Sequence, residues 1–209
     1  MKSLENSFAF NRLHLLLAAC ALLLGSCGSI PRVGSSGRYL EGRDQFLRGR
    51  GGDMDKAIVA LESVAQQNPA YKDTLTLLGR AYYRKGRLKD TYVIIQRALA
   101  VKKDDEIAWI VLGLTQLRLG QDAQGLQTLQ GGITLLSKAS VNGYLGFDYW
   151  DTRGIVRGSI SRTAFLTTKG LEEKQQIIQS AELLLTRIDD EENLRRVEEP
   201  RERERGFTD

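Results

Sequence analysis

The chemistry open to this chain is limited by a short supply of bases and nucleophiles. Its 209 residues include one histidine, His14, and two cysteines, Cys20 and Cys27. His14 and Cys20 lie in an apolar run from Leu13 to Leu24, preceded by Lys2 and Arg12. That run is well short of the roughly 20 residues a spanning helix needs, so residues 1–26 read as a removable secretory signal. The mature chain then holds no histidine and a single thiol, Cys27. His/Cys zinc sites, Ser-His-Asp and Cys-His catalysis, and disulfides within one chain are excluded. The acidic pairs Asp104-Asp105, Asp189-Asp190 and Glu191-Glu192 sit in no calcium-loop pattern, and adjacent charges usually occupy a solvated face. The stretch Arg80 to Gly86 lacks the spacing of a phosphate-binding loop. No catalytic residue, metal site or cofactor is expected. A net charge of +4 over this length is too mild for a nucleic-acid partner.

What remains is binding, and the elements that would position it follow a repeat. Gly52, Gly86 and Gly120 are spaced 34 residues apart. In that register Leu75, Leu78 and Gly79 align with Trp109, Leu112 and Gly113, and Leu61 aligns with Ile95 and Leu129. Each unit contains two amphipathic segments with apolar spacing near one helical turn. Gly79 and Gly113 lack a side chain where two helices must approach closely. Gly86 and Gly120 fall between paired segments, where a helix end often needs positive φ. Pro69 separates one unit from the next. The segment near 38–49 carries Gly42 and Gly49 and is expected to be short or frayed.

These residues resemble the tetratricopeptide repeat, with the middle unit the best fit through Leu75, Leu78, Gly79, Tyr82, Gly86 and Ala98. The third unit has Gln116 in the place of the tyrosine. The resemblance implies an all-α helical-hairpin solenoid of about three repeats over 38–139 with a C-terminal helical cap, because hairpins bury their apolar faces only by stacking. It further implies a concave groove for a protein or peptide partner, lined by the first helix of each repeat. Carried onto the middle repeat, the groove residues are Asp73, Thr76, Arg80, Tyr83 and Arg84; on the third they are Ile107, Ile110, Leu114, Leu117 and Arg118. The middle set is basic and aromatic, suited to an acidic or carboxylate-bearing peptide. The third is apolar: either the chain's own 140–168 segment fills it, or it awaits a partner helix. Self-filling would leave a small groove centred on Arg80, Tyr83, Arg84 and Arg118.

A second resemblance lies at the N-terminus. Leu24-Gly25-Ser26-Cys27 is similar to the bacterial lipoprotein signal, and Leu17-Ala18-Ala19-Cys20 is a poorer match to the same pattern. The resemblance implies that Cys27 is lipidated and that residues 27–37 form a small, polar tether. Gly28, in the place where an aspartate favours the inner membrane, points to an outer-membrane anchor with the folded part facing the periplasm.

Residues 140–150 break the period and gather Tyr144, Phe147, Tyr149 and Trp150, either as a loop pinned to the last repeat or as a binding platform. Asp151 reads as the N-cap of a helix over 152–168, with Ile155, Val156, Ile160, Ala164 and Phe165 toward the core and Arg153, Arg157 and Arg162 on a basic side. A last helix over 171–197 carries an apolar stripe of Leu171, Ile177, Ile178, Ala181, Leu184, Leu185 and Ile188. The two form a capping hairpin over 151–199, with residues 189–192 giving it a polar outer face. Pro200 is expected to end the helix, leaving 200–209 as a charged tail.

Overall fold

In the computed structural model the described residues are 34–139 and 150–205, with side chains through 196. Residues 1–33, with Cys27 and the stretch expected to be a signal, and the aromatic residues Tyr144, Phe147 and Tyr149 lie outside them. Among the described residues all regular structure is helical: α1 (Ser35–Leu47), α2 (Met54–Gln67), α3 (Thr74–Arg84), α4 (Leu88–Val101), α5 (Glu106–Arg118), α6 (Asp122–Ala139), α7 (Ile155–Thr168) and α8 (Lys174–Arg205). No helix among them is long and apolar enough to cross a membrane.

The helices pack as consecutive pairs, α1 with α2, α3 with α4, α5 with α6 and α7 with α8. The second helices α2, α4 and α6 begin at Met54, Leu88 and Asp122, each 34 residues after the last. Identical chemistry closes two of the hairpins. Gly86 and Gly120 take left-handed φ of 72° and 80°. This lets Arg87 N–H reach Tyr82 O, and Gln121 N–H reach Gln116 O, at 2.9 Å each, satisfying carbonyls that a helix end leaves open. Gly52 is in phase by sequence but has φ of −101°. A short 3-10 turn, Gly49–Gly51, intervenes there, and Gly49 is the left-handed residue.

Helix α1 is neither short nor frayed. Gly42, expected to weaken it, is buried where α1 rests on α2; a Cβ there would stand 2.7 Å from Leu61 Cγ. Packing outweighs the residue's poor helix propensity. The closest approach is between α5 and α6. A Cβ on Gly113 would stand 2.6 Å from Leu129 N, one on Gly125 2.8 Å from Leu117 N, and one on Gly132 2.7 Å from Ile110 N.

Helices α1, α3 and α5 form one layer, with α1 on α3 and α3 on α5. Helices α2, α4 and α6 back that layer; α8 packs on α1 and α5 and meets the backing layer at its first residue, where Lys174 pairs with Asp122 of α6 at 2.5 Å. The core is continuous from Tyr39 to Ile188 and includes Ile177, Ala181, Leu184 and Ile188 of α8.

The C-terminal pair differs from expectation in five ways. α7 starts at Ile155, behind Gly154 at φ 67°. Asp151 still caps it, from further back: its carboxylate accepts Val156 N–H at 2.9 Å and Arg157 N–H at 2.8 Å. Ile155 and Phe165 face outward, because Val156, Ile160 and Thr163 take the buried stripe. A 3-10 turn, Leu171–Glu173, precedes α8 and leaves Leu171 exposed. Pro200 does not end the last helix, whose backbone runs to Arg205. Finally, Asp189, Glu191 and Glu192 are buried; only Asp190 of that acidic run faces solvent.

Candidate protein-binding groove

The groove residues expected on α3 and at the end of α5 do come together, and α8 lies across them. Arg80 and Arg84 are one turn apart on α3, and both stand over the Phe46 ring of α1, at 5.0 Å and 4.2 Å from its centroid. Stacking on an aromatic face fixes the two guanidinium groups side by side. The Asp189 carboxylate of α8 bridges them, one oxygen to each arginine. Arg80 also pairs with Glu192 at 3.3 Å, and its side chain is only 4% exposed. Arg84 Nη1 donates to the Phe46 carbonyl at 3.4 Å.

A second cluster lies further along α8. Arg118 donates to Glu182 through Nη2 at 2.5 Å and Nε at 3.1 Å, and Tyr83 Oη donates to the same carboxylate at 2.6 Å. Arg118 Nε also reaches Tyr83 Oη at 3.1 Å. At the far end Arg196 pairs with Asp44 of α1 at 2.5 Å. Glu182, Asp189 and Glu192 therefore act as a built-in acidic ligand for Arg80, Tyr83, Arg84 and Arg118. Between the two clusters a cleft of about 400 Å³ remains, lined by those four residues and by Glu182, Leu185, Thr186 and Asp189 of α8.

The apolar residues expected in the groove are placed differently. Ile110 and Leu114 are 0% exposed and Leu117 1%, enclosed where α5 packs on α6 and α8. They present no surface to a ligand. Among the described residues the covering element is α8; α7, which lies in the 140–168 stretch expected to fill the groove, packs on α6 and α8 instead. Thr76 and Asp73 also serve the fold: Thr76 Oγ1 donates to Asp105, the N-cap of α5, at 2.7 Å, and Asp73 accepts from Tyr39 Oη at 2.5 Å. The acidic residues of α8 are the part that sequence reasoning missed. The signal was present: Ile178, Glu182, Leu185, Asp189 and Glu192 recur at alternating four- and three-residue spacing, which puts three carboxylates on the same stripe as two apolar residues.

Two buried phenols, Tyr39 and Tyr82, and the half-buried Tyr83 set a pH response. Burial, then donation to Glu182, pushes Tyr83 well above the ordinary tyrosine range. Burial and Asp73 do the same for Tyr39, and burial with a 2.5 Å bond to Glu62 pushes Tyr82 up to about 12. Each folded-state value is raised above the unfolded one, so the folded chain holds these protons more tightly. Each contribution is fully present below pH 10.0 and falls as pH rises above it; that of Tyr82 is lost through about 12, and those of Tyr83 and Tyr39 are lost at higher pH still. Urea midpoints should fall over that window, and Tyr83→Phe should flatten the fall.

Among the described residues no group of three or more His, Cys, Asp or Glu is placed to hold a metal ion. The comparison with curated proteins found no match. Residues 50–113, from the 3-10 turn through the first half of α5, match the family model described as tetratricopeptide repeat. That family is a non-catalytic, protein-interaction fold, and the match gives the chain a tetratricopeptide-repeat domain over residues 50–113.

Proposed function

We propose that this chain is a lipid-anchored, protein-binding scaffold of the bacterial cell envelope. In this reading Cys27 carries the lipid, residues 27–37 are the tether, and three tetratricopeptide-type repeats over 38–139 hold a protein or peptide partner at the periplasmic face of the outer membrane. The lipidation rests on Leu24-Gly25-Ser26-Cys27 following the apolar run, and the membrane side on Gly28. Several acyl chains on one residue give a durable anchor. One observation carries the binding role: a cluster of arginines and a tyrosine on the inner helices is organised around carboxylates. The chain supplies these carboxylates from α8, so an outside partner enters the groove by displacing that helix.

The closed groove also favours a second reading, a permanent subunit of a larger envelope assembly that keeps α8 in place and uses its outer surfaces.

Capture from detergent-solubilised envelope separates the two readings. Asp189→Asn with Glu192→Gln weakens the hold of α8. The scaffold reading predicts that a partner is captured more strongly by this variant than by the unaltered chain, and is lost again when Arg84→Glu and Arg118→Glu are added. Capture that is equal across all three proteins would remove the groove as the partner site and favour the permanent subunit. Palmitate labelling tests the anchor: it should vanish in Cys27→Ala and persist in Cys20→Ala.

A further inference from the structure

The outward face of α7 takes no part in the core or the groove. Ile155, Gly158, Arg162, Phe165 and Lys169 recur at three- and four-residue spacing and form one strip along the helix and the residue after it. Phe165 is 59% exposed and Ile155 38%. Arg162 and Lys169 are also exposed, and Lys169 Nζ lies 5.0 Å over the Phe165 ring. Residues 152–171 hold four cations, Arg153, Arg157, Arg162 and Lys169, and no acidic residue. Arg157 is partly engaged by the buried Asp151 at 3.4 Å. Arg153 and Arg162 make no ion pair among the described residues. Behind the strip, α7 meets α6 and α8 through neutral groups, Thr163 with Ser180 at 2.9 Å and Gln130 with the Thr167 carbonyl at 3.1 Å.

We propose that this face of α7 docks on anionic lipid headgroups, with Phe165 and Ile155 entering the interfacial layer between the cations. Interfacial helices combine cations with a few aromatic or aliphatic side chains in this way. An anionic membrane strengthens binding about fivefold for each lysine or arginine brought near it. A protein partner fits less well. A stable protein interface buries about 800 Å² on each side, and the apolar part of this strip is two side chains. For its setting the inference rests on the membrane placement proposed above; its test does not use Cys27.

The test uses a chain starting at Ser35, which keeps the whole core from Tyr39 to Ile188. It is sedimented with vesicles of phosphatidylcholine alone, or of phosphatidylcholine and phosphatidylglycerol in equal parts. Binding is expected only to the second, weakening as salt is raised. Arg162→Gln with Lys169→Gln should lower the partition about 30-fold. Phe165→Ser should lower it further, and all three proteins should keep the same circular dichroism. Equal binding to both vesicles, or no loss in the double variant, would overturn the proposal. So would an absence of vesicle binding combined with retention on an immobilised acidic polypeptide, which would assign the face to an acidic protein. Because the lipid anchor is absent throughout, failure here leaves the Cys27 labelling result to stand or fall separately.

Discussion

Replacing Arg80 with leucine should lower the unfolding free energy by about 3–5 kcal/mol, the usual range when one member of a buried ion pair is removed. The side chains of Arg80, Asp189 and Glu192 are 4%, 8% and 5% exposed. Without Arg80, Glu192 is left in the groove with no cation, and Asp189 keeps only Arg84. The penalty comes from desolvated charge, not from the strength of the pair. Removing all three charges together, as Arg80→Leu, Asp189→Leu and Glu192→Leu, should therefore recover most of the loss. Arg118→Gln is the control. Its side chain is 43% exposed and its partner Glu182 31%, so the change should be below about 1 kcal/mol. Urea unfolding of the four proteins tests the set. A loss below 1 kcal/mol for Arg80→Leu would mean that α8 does not enclose this arginine.

Two adjacent glycines on α6 should respond in opposite directions to the same substitution. Gly131 has nothing within 4 Å of a Cβ placed on it. It sits in the interior of a helix, so Gly131→Ala should stabilise by about 0.5–1 kcal/mol by restricting the unfolded chain and improving propensity. At Gly132 the new methyl would stand 2.7 Å from Ile110 N, a backbone atom that no rotamer change can move. Gly132→Ala should force α5 and α6 apart and cost about 1–3 kcal/mol. The sign difference distinguishes close backbone approach from helix propensity, which is the same at both positions. Equal effects at the two sites would contradict the α5–α6 packing.

Much of the repeat architecture was legible because its causes are local. The 34-residue register is written in Gly86 and Gly120, whose left-handed φ closes each hairpin, and in Gly79 and Gly113, which admit the next helix. Arg80, Tyr83, Arg84 and Arg118 could be placed on one face for the same reason: each follows from a helix position within its repeat. What could not be read locally was which element covers that face. Glu182 lies 64 residues from Arg118, and Asp189 more than a hundred from Arg80. The stripe shared with Ile178 and Leu185 turns Asp189 and Glu192 inward, but nothing local to the acidic run at 189–192 says what it meets there. Adjacent acids are ordinarily solvated, and here that rule yields to the arginines opposite. Phe165 was misplaced by the reverse error. Its apolar character pointed to the core, but the helix phase fixed by Val156, Ile160 and Thr163 turns it to solvent. Gly42 looked like a helix breaker and instead admits Leu61.

The central claim is that the chain covers its own inner face with α8. Hydrogen exchange tests it most directly. If α8 is docked, the amides from Ile177 to Glu192 should be protected to nearly the same degree as those of α5 from Ile107 to Leu117. Asp189→Asn with Glu192→Gln should strip that protection from α8 before α5 is affected. Exchange of residues 177–192 at the rate of an unstructured peptide in the unaltered chain, with α5 still protected, would contradict the account: the arginine groove would then be open.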